Sequence, residues 1–172
     1  MLLLFYLHYA SDIAILRQVG RPKLDHRSGC PVAISLEVLG DGWSLLIIRD
    51  LMIRGLKTFK DFEQSGEKIA TNILADRLRK LEGAGIITAR PDKLDGRRVN
   101  YRLTQKGIDL APVLLELLIW GGRHEKNGLP APLLAKMETN RQEVLAEVRR
   151  RWREGDSTPL FSSYLALGPQ NK

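Results

Sequence analysis

Two polar residues, Thr71 and Asn72, stand at the start of a predicted amphipathic helix and have side chains suited to reading base edges. The inward positions of this helix recur at helical spacing, at Ile73, Leu74, Leu78 and Leu81. The positions left exposed by that pattern are Thr71, Asn72, Ala75, Asp76 and Arg79. Asn can bond an adenine edge in bidentate fashion, and Thr can bond polar edges or contact a thymine methyl. Asn72 could instead serve only the helix start.

Basic side chains on and before this helix could contact phosphates. Arg77 and Arg79 lie on the helix itself, and Lys60 lies on a shorter helix that precedes it. Phosphate contacts position a protein on DNA, whereas base contacts specify sequence. Arg77 could instead form a local ion pair with Asp76 or Glu82.

A second basic element follows, because Arg97 and Arg98 come directly after an Asp95-Gly96 turn signal. The residues on either side, Ile86 to Thr88 and Val99 to Leu103, read as two strands of a hairpin. At a hairpin tip the two arginines could reach a phosphate or a neighbouring minor groove, or could simply be a solvated turn.

The charge of the chain is concentrated in the same region. The 172 residues carry a formal net charge of +7, and residues 57–106 hold twelve basic against seven acidic side chains, a net +5. A basic balance suits a polyanionic partner such as double-stranded DNA. A solvated basic surface without a partner is the alternative.

The elements that must position these residues are mostly helices. The pattern predicts a helix from Cys30 to Leu39, a buried helix from Trp43 to Ile53 and a short helix capped by Thr58. After a turn at Ser65-Gly66, the next helix begins near Ala70 or Thr71. Two helices and a turn followed by a two-stranded ribbon is the order of a winged helix-turn-helix, so the expected class is α+β, mainly α with a small β-wing.

The remainder of the chain predicts a C-terminal helical extension. A helix runs from Thr104 to Trp120, with Pro112 inside it as a bend, and a break follows at Gly121, Gly122, Gly128 and Pro130. One amphipathic helix then covers 133–153, and the residues from 155 onward form a loose tail. Trp120 could anchor either the core or a contact between subunits.

The composition argues against other classes of protein. His8, His26 and His124 are scattered without the spacing of a metal site, and a Gly-rich phosphate loop is missing, so neither an enzyme nor a cofactor or metal is expected. Cys30 is the only cysteine, which fits a reducing cytoplasm. The apolar N-terminus is too short to span a bilayer and lacks a basic flank, so no membrane association is expected.

Four blocks in order carry a family resemblance. They are CPVAISLEVLGDGWSLLIIRDLMIRGLKTFKDF, IATNILADRLRKLEGAGII, RRVNYRLTQKG and LAPVLLELLIWG. Together they resemble the HxlR-type helix-turn-helix regulators over about Cys30 to His124. The resemblance gives a domain at 29–124, an N-terminal extension at 1–28 expected to be flexible, and a C-terminal extension at 125–172. The chain departs from the family at Ala70, where many members have a Ser that caps the recognition helix.

The resemblance implies a small bacterial transcription factor that acts as a homodimer on a pseudo-palindromic operator. It places the helix beginning at Cys30 and the helix ending at Trp120 in the dimer interface. Cys30 matches the N-terminal cysteine that senses oxidants or electrophiles in some relatives, and its place near a helix N-terminus favours a lowered thiol pKa. A structural cysteine is the other interpretation of this residue. A winged-helix module that binds a protein without DNA specificity is the alternative function.

Overall fold

The computed structural model describes residues 29–92, 94–125 and 129–161. The chain divides into two compact units, Met1–Ile34 and Ser35–Lys172. The predicted N-terminal extension, residues 1–28, lies outside the described residues, and so does the end of the predicted tail, residues 162–172.

The described residues are mainly helical, with one two-stranded antiparallel sheet. The helices that precede the sheet are α1 (Pro31–Leu39), α2 (Gly42–Arg49), a π-helical turn (Asp50–Arg54), α3 (Phe59–Glu63) and α4 (Thr71–Gly83). The strands are β1 (Ile87–Pro91) and β2 (Val99–Leu103). The helices that follow are α5 (Gln105–Ile108), α6 (Ala111–His124), α7 (Ala131–Thr139) and α8 (Arg141–Glu154). This confirms the predicted mainly α fold with a small β-wing and a C-terminal helical extension.

The central helix α2 begins and ends by local chemistry. The Asp41 carboxylate accepts hydrogen bonds from the backbone N–H groups of Trp43 and Ser44, which fixes the first turn. Ile47 and Ile48 are buried, as the apolar pattern predicts. The π-helical turn continues α2 and ends at Gly55, whose φ of 71° is the left-handed conformation that favours glycine at a helix C-terminus.

The helix-turn-helix pair forms as the sequence predicts. Thr58 caps α3 through a reciprocal pair of hydrogen bonds with Asp61, a capping box. The inner face of α4 buries Leu74, Leu78 and Leu81 in the core. The opposite face of α4 therefore lies on the outside of the domain, because a helix that packs on one face exposes the other face to solvent.

The wing follows α4 through a tight turn. Ile87 pairs with Leu103 and Pro91 with Val99, so the two strands are in register over their whole length. A further bridge joins Thr58 to Asn100, which ties the start of α3 to β2. The wing is therefore held against the first helix of the helix-turn-helix pair as well as by its own hairpin.

The C-terminal half differs from the prediction in three places. The predicted helix from Thr104 to Trp120 is two helices, α5 and α6, and Pro112 lies in the first turn of α6, where its missing N–H costs nothing. The break predicted from Gly121, Gly122, Gly128 and Pro130 begins later than predicted, because α6 continues through Gly121 and Gly122 to His124, and Pro130 directly precedes α7. Gly128 lies outside the described residues. The predicted single helix over 133–153 is also two helices, α7 and α8, which meet at Asn140.

The C-terminal extension shares the core of the domain. Met137, Val144 and Val148 are buried in the same hydrophobic cluster as the inner face of α4. The indole N–H of Trp152 donates to the backbone carbonyl of Leu103 at 2.8 Å. The prediction of a loose tail is wrong for 155–161, since the backbone N–H of Leu160 donates to the Ile53 carbonyl at 2.8 Å.

Within the described residues no single helix is long and apolar enough to cross a membrane, and one bent pair, Pro31–Leu39 with Gly42–Arg54, meets that test by length and composition only.

Candidate nucleic-acid interface

The N-terminal end of α4 is exposed and polar. Thr71 and Asn72 are its first two residues, and both are exposed. Ala70 precedes the helix and makes no side-chain cap, so the first N–H groups are left to other acceptors. The helix dipole places partial positive charge at this end, where anionic groups are favoured.

The outer face of α4 is more enclosed than the periodicity predicts. Asp76 is exposed, and the Arg79 side chain is 74% exposed and lies 3.9 Å from the Asp76 carboxylate. The prediction of full exposure is wrong for Ala75, which is half-buried. Its methyl is small enough to sit at the edge of the packed face, so helical spacing alone does not decide its exposure.

Arg77 has a partner that the sequence pattern does not reveal. Its Nε lies 3.4 Å from the Asp41 carboxylate, and a terminal nitrogen lies 3.6 Å from Asp76. The pair with Asp76 is one of the two local ion pairs considered above, whereas Glu82 accepts a hydrogen bond from the Ala89 backbone. Arg77 therefore links α4 to the start of α2, and about three-quarters of its side chain is covered.

Asp41 is the residue at the centre of this link. Besides capping α2, its carboxylate accepts a 2.6 Å hydrogen bond from the hydroxyl of the fully buried Ser44. Partial burial opposes ionisation of Asp41, but the hydrogen bonds from Ser44 and Trp43 and the charge of Arg77 outweigh it and lower its pKa. The carboxylate is thus held ionised, as an ion pair with Arg77 requires.

A second cluster of charges holds the turn between α3 and α4. Asp50 is buried, and its carboxylate lies 2.7 Å from Arg49 and 3.3 Å from Arg54. Arg49 also reaches Glu67 in the turn at 2.9 Å, and Arg54 donates to the Ser65 carbonyl. Burial raises the pKa of Asp50, and the two arginines only partly offset it. These contacts fix the turn, and with it the direction in which α4 leaves it.

On α3, Lys60 is exposed. The neighbouring Asp61 accepts hydrogen bonds from the backbone of Thr58 and Lys57 at 2.8 and 3.1 Å. Partial burial opposes ionisation of Asp61, but these bonds and the charge of Arg98 lower its pKa. The negative charge near Arg98 is therefore permanent at neutral pH.

The tip of the wing is a closed, hydrogen-bonded loop. The Asp92 N–H donates to the Arg98 carbonyl at 2.8 Å, and the Arg98 N–H donates to the Asp95 carbonyl at 2.9 Å. Arg97 and Arg98 are both exposed. Arg98 is close enough to Asp61 and Asp92 to lower the pKa of both, whereas the Arg97 guanidinium has no ion pair among the described residues. Of the two, Arg97 is the better placed to meet an external anion.

The Cys30 thiol is exposed just before α1. Hydrogen bonds from the backbone N–H groups of Ala33 and Val32 lower its pKa, which raises the fraction of reactive thiolate. This agrees with the lowered pKa predicted from its place at a helix N-terminus.

The geometry above is that of a winged helix-turn-helix, and comparison with known proteins identifies its family. The sequence model of the HxlR-like helix-turn-helix family matches residues 38–128, just over half of the chain. The chain belongs to the HxlR-like helix-turn-helix family. The predicted family assignment is therefore confirmed, and with it a role in transcription regulation through DNA binding.

Relatives of this HxlR-like chain are named as regulators. It is 35% identical to the HTH-type transcriptional regulator YdeP of Bacillus subtilis, itself uncharacterised, over 59% of this chain and 78% of YdeP. It is 33% identical to a second such regulator, YybR of Bacillus subtilis, over 56% of this chain and 76% of YybR.

Solved structures give the same family fold. The chain is similar to PA1607 with a TM-score of 0.54 and 44% identity, over 58% of this chain and 68% of that one. It is similar to the redox regulator HypR in its oxidized form with a TM-score of 0.51 and 32% identity, over 56% of this chain and 99% of HypR.

Three residues of this HxlR-like site, Asp41, Asp50 and Glu67, are not predicted from the sequence. Asp41 carries a detectable signal, because an Asp just before a strongly apolar helix is a preferred N-cap. Asp50 and Glu67 carry none, since neither a charged residue after an apolar run nor one in a polar turn indicates which partner will cover it. Their roles depend on packing between elements distant in sequence.

Proposed function

We propose that this protein is a homodimeric transcriptional regulator that reads a pseudo-palindromic operator with the N-terminal end of α4. The observation that carries the proposal is the contrast between the two faces of that helix. Its inner face is fixed by fully buried leucines, while Thr71 and Asn72 stand exposed at its open end. In this geometry the N-terminal residues of the second helix contact base edges in the major groove.

The remaining basic residues act as positioning contacts. Lys60 on α3, Arg79 on α4 and Arg97 and Arg98 on the wing are exposed, and the proposal gives them phosphates or a neighbouring minor groove. The ion pair with Asp41 covers most of the Arg77 side chain, so only its exposed quarter is available to a phosphate. Contacts of this kind supply affinity that falls with salt concentration and carry little sequence information.

Exposed apolar stripes support the dimer. On α6, Val113, Leu117 and Trp120 are 48%, 47% and 58% exposed and recur at one helix face. On α1, Val32 and Leu36 are 66% and 59% exposed. A monomer that leaves such stripes in water would be unusual, and the family resemblance places these same two helices in the interface. We propose that both stripes are covered by the second subunit.

We further propose that the response to oxidants or electrophiles goes through Cys30. The thiol is exposed with a lowered pKa, and the similar protein HypR is named a redox regulator.

The first experiment is selection of duplexes from a genomic DNA fragment library, followed by titration of the selected duplex by fluorescence anisotropy. We expect a pseudo-palindrome whose half-site centres lie about one helical turn, or a multiple, apart. The Asn72→Ala variant should weaken binding by roughly 1–3 kcal/mol for each half-site and relax preference at one base pair of each half-site. The Arg97→Ala variant should weaken all sequences alike and reduce the salt slope by about 1 for each subunit, or about 2 for the dimer.

Two outcomes would contradict this assignment. An unchanged sequence preference in Asn72→Ala would remove Asn72 from base reading. No selected duplex at low salt would move the function to a winged-helix module that binds a protein partner. The dimer is tested separately by light scattering, where Leu117→Glu should produce a monomer and the exposed neighbour Glu116→Gln should not.

The thiol response is tested on the same duplex. Treatment with diamide or a quinone should release the wild-type protein, and Cys30→Ser should stay bound under the same treatment. Release that persists in Cys30→Ser would locate the response elsewhere, and no release in either protein would leave a regulator without a thiol response.

A further inference from the structure

The wing holds a large apolar side chain out into solvent at its tip. Leu94 is 99% exposed, the highest value among the large hydrophobic residues of the described chain. It lies between the end of β1 and the turn that carries Arg97 and Arg98. A single exposed leucine needs no explanation on a mobile surface, but one held by a network of hydrogen bonds at a basic tip is a different case.

That network is centred on Asp92. Its Oδ1 accepts hydrogen bonds from the Leu94 and Asp95 backbone N–H groups at 2.8 and 3.1 Å. Its Oδ2 accepts a 2.6 Å hydrogen bond from the side-chain amide of Asn100 on β2. The backbone at Leu94 is thus tied to both strands of the hairpin. The backbone that carries the apolar side chain is therefore already ordered, which reduces the entropy that is lost when the side chain is buried.

The charges around Leu94 indicate the kind of surface it meets. Arg97 and Arg98 are exposed a few residues away on the same loop. An apolar side chain beside two guanidinium groups suits a surface that offers both anionic groups and stacked apolar rings. The minor groove of DNA offers both, and proteins that bind it use Arg for its potential and insert Leu, Ile or Phe at a base step.

We propose that Leu94 enters the minor groove beside each half-site as an apolar wedge, with Arg97 following the groove wall. The inference rests on the proposed DNA-binding function and adds to it a second point of sequence discrimination. The exocyclic amino group of guanine lies in the minor groove, so a G·C pair at the contacted step obstructs the wedge. The wing would therefore favour A·T pairs in the sequence that flanks the bases read by α4.

The test uses the full chain and the duplex selected from genomic DNA, with each flanking base pair changed in turn to A·T, G·C or I·C. An I·C pair keeps the major-groove edge of G·C but lacks the minor-groove amino group. We expect wild type to bind A·T and I·C flanks about tenfold more tightly than the G·C flank at the contacted step, the magnitude of burying part of a Leu side chain.

Leu94→Ala should bind the A·T flank about tenfold more weakly and lose the discrimination between flanks. Leu94→Met, which keeps the apolar volume, should retain both, and because neither change alters charge the salt slope should stay the same. Permanganate should oxidise a thymine at the contacted step faster in the complex with wild type than in the complex with Leu94→Ala, since the reagent attacks thymine that has lost its stacking. The exposure of Leu94 means that neither variant should change the melting temperature.

The outcomes separate the two proposals. Equal binding of wild type and Leu94→Ala to every flank would overturn the wedge and leave the regulator intact. Normal DNA binding by Leu94→Ala with loss of regulation in a reconstituted transcription reaction would also overturn it and assign the side chain to a protein contact. Failure of wild type to bind any duplex would overturn both proposals together.

Discussion

Replacing Asp41 tests whether the capping carboxylate of α2 also fixes the recognition helix. Asp41→Ala removes the acceptor for the Trp43 and Ser44 N–H groups, leaves the buried Ser44 hydroxyl without its partner, and breaks the ion pair with Arg77. Asp41→Asn keeps a side-chain oxygen, which caps a helix about as well as Asp, and removes only the charge. The two variants therefore separate hydrogen bonding from charge.

The magnitudes follow from the contacts. Loss of an N-cap costs about 1 kcal/mol, and a buried hydroxyl left without a partner costs about 1 kcal/mol more. The ion pairs to Arg77 at 3.4 Å and Lys80 at 3.9 Å are partly solvated and contribute about 0.5 kcal/mol together. We expect Asp41→Ala to lower the free energy of unfolding by about 2–3 kcal/mol, and Asp41→Asn by about 0.5 kcal/mol.

Urea unfolding followed by circular dichroism measures both values, and the melting temperature should fall by about 5–10 °C for Asp41→Ala. Selected-duplex titration at a temperature where both variants are folded then reports the effect on α4. Equal destabilisation by Ala and Asn would mean that charge, and not the cap, carries the stabilisation. A loss below about 0.5 kcal/mol in Asp41→Ala would refute the reasoning altogether.

Three further predictions concern stability. Trp152→Phe removes the hydrogen bond to the Leu103 carbonyl and should lower the urea midpoint by the equivalent of about 1 kcal/mol, and an unchanged midpoint would show that the extension is not coupled to the wing. Gly107→Ala places a Cβ 2.3 Å from the Ile86 carbonyl oxygen and should destabilise by about 1–3 kcal/mol, whereas Gly83→Ala, which meets nothing within 4 Å, should not destabilise. The folded pKa of Asp41 is lowered, so the stabilisation by its carboxylate is complete above about pH 5 and is lost as the pH falls below about 3.9. The difference in the free energy of unfolding between wild type and Asp41→Asn should therefore vanish in acid. A difference that grew in acid would contradict this sign.

Local sequence signals predict much of the scaffold of the site. Helical spacing places Leu74, Leu78 and Leu81 in the core, and Thr58 caps α3 as its residue type predicts. The Asp95-Gly96 signal falls within the turn at the wing tip. Each of these features depends on residues within a few positions of one another, where backbone geometry and side-chain chemistry act together.

Glycine residues predict helix ends less reliably than helical spacing and capping residues predict the helices themselves. Gly121 and Gly122 lie inside α6, although each costs roughly 1 kcal/mol of helix propensity relative to alanine. At Gly122 a Cβ would lie 3.1 Å from the Leu134 side chain, so its absence lets α7 pack closely against α6. Packing of this kind offsets an unfavourable local preference, and nothing in the local sequence indicates it.

The sequence by itself determined the family, the order of the helix-turn-helix pair and the wing, and the residues at the exposed start of α4. Only the tertiary structure decided that Arg77 pairs with Asp41, that Ala75 is half-buried, and that the C-terminal helices share the core of the domain. The physical reason is the range of the interactions. Periodicity, caps and turns are set by near neighbours along the chain, whereas ion pairs and burial depend on which distant segments packing brings into contact.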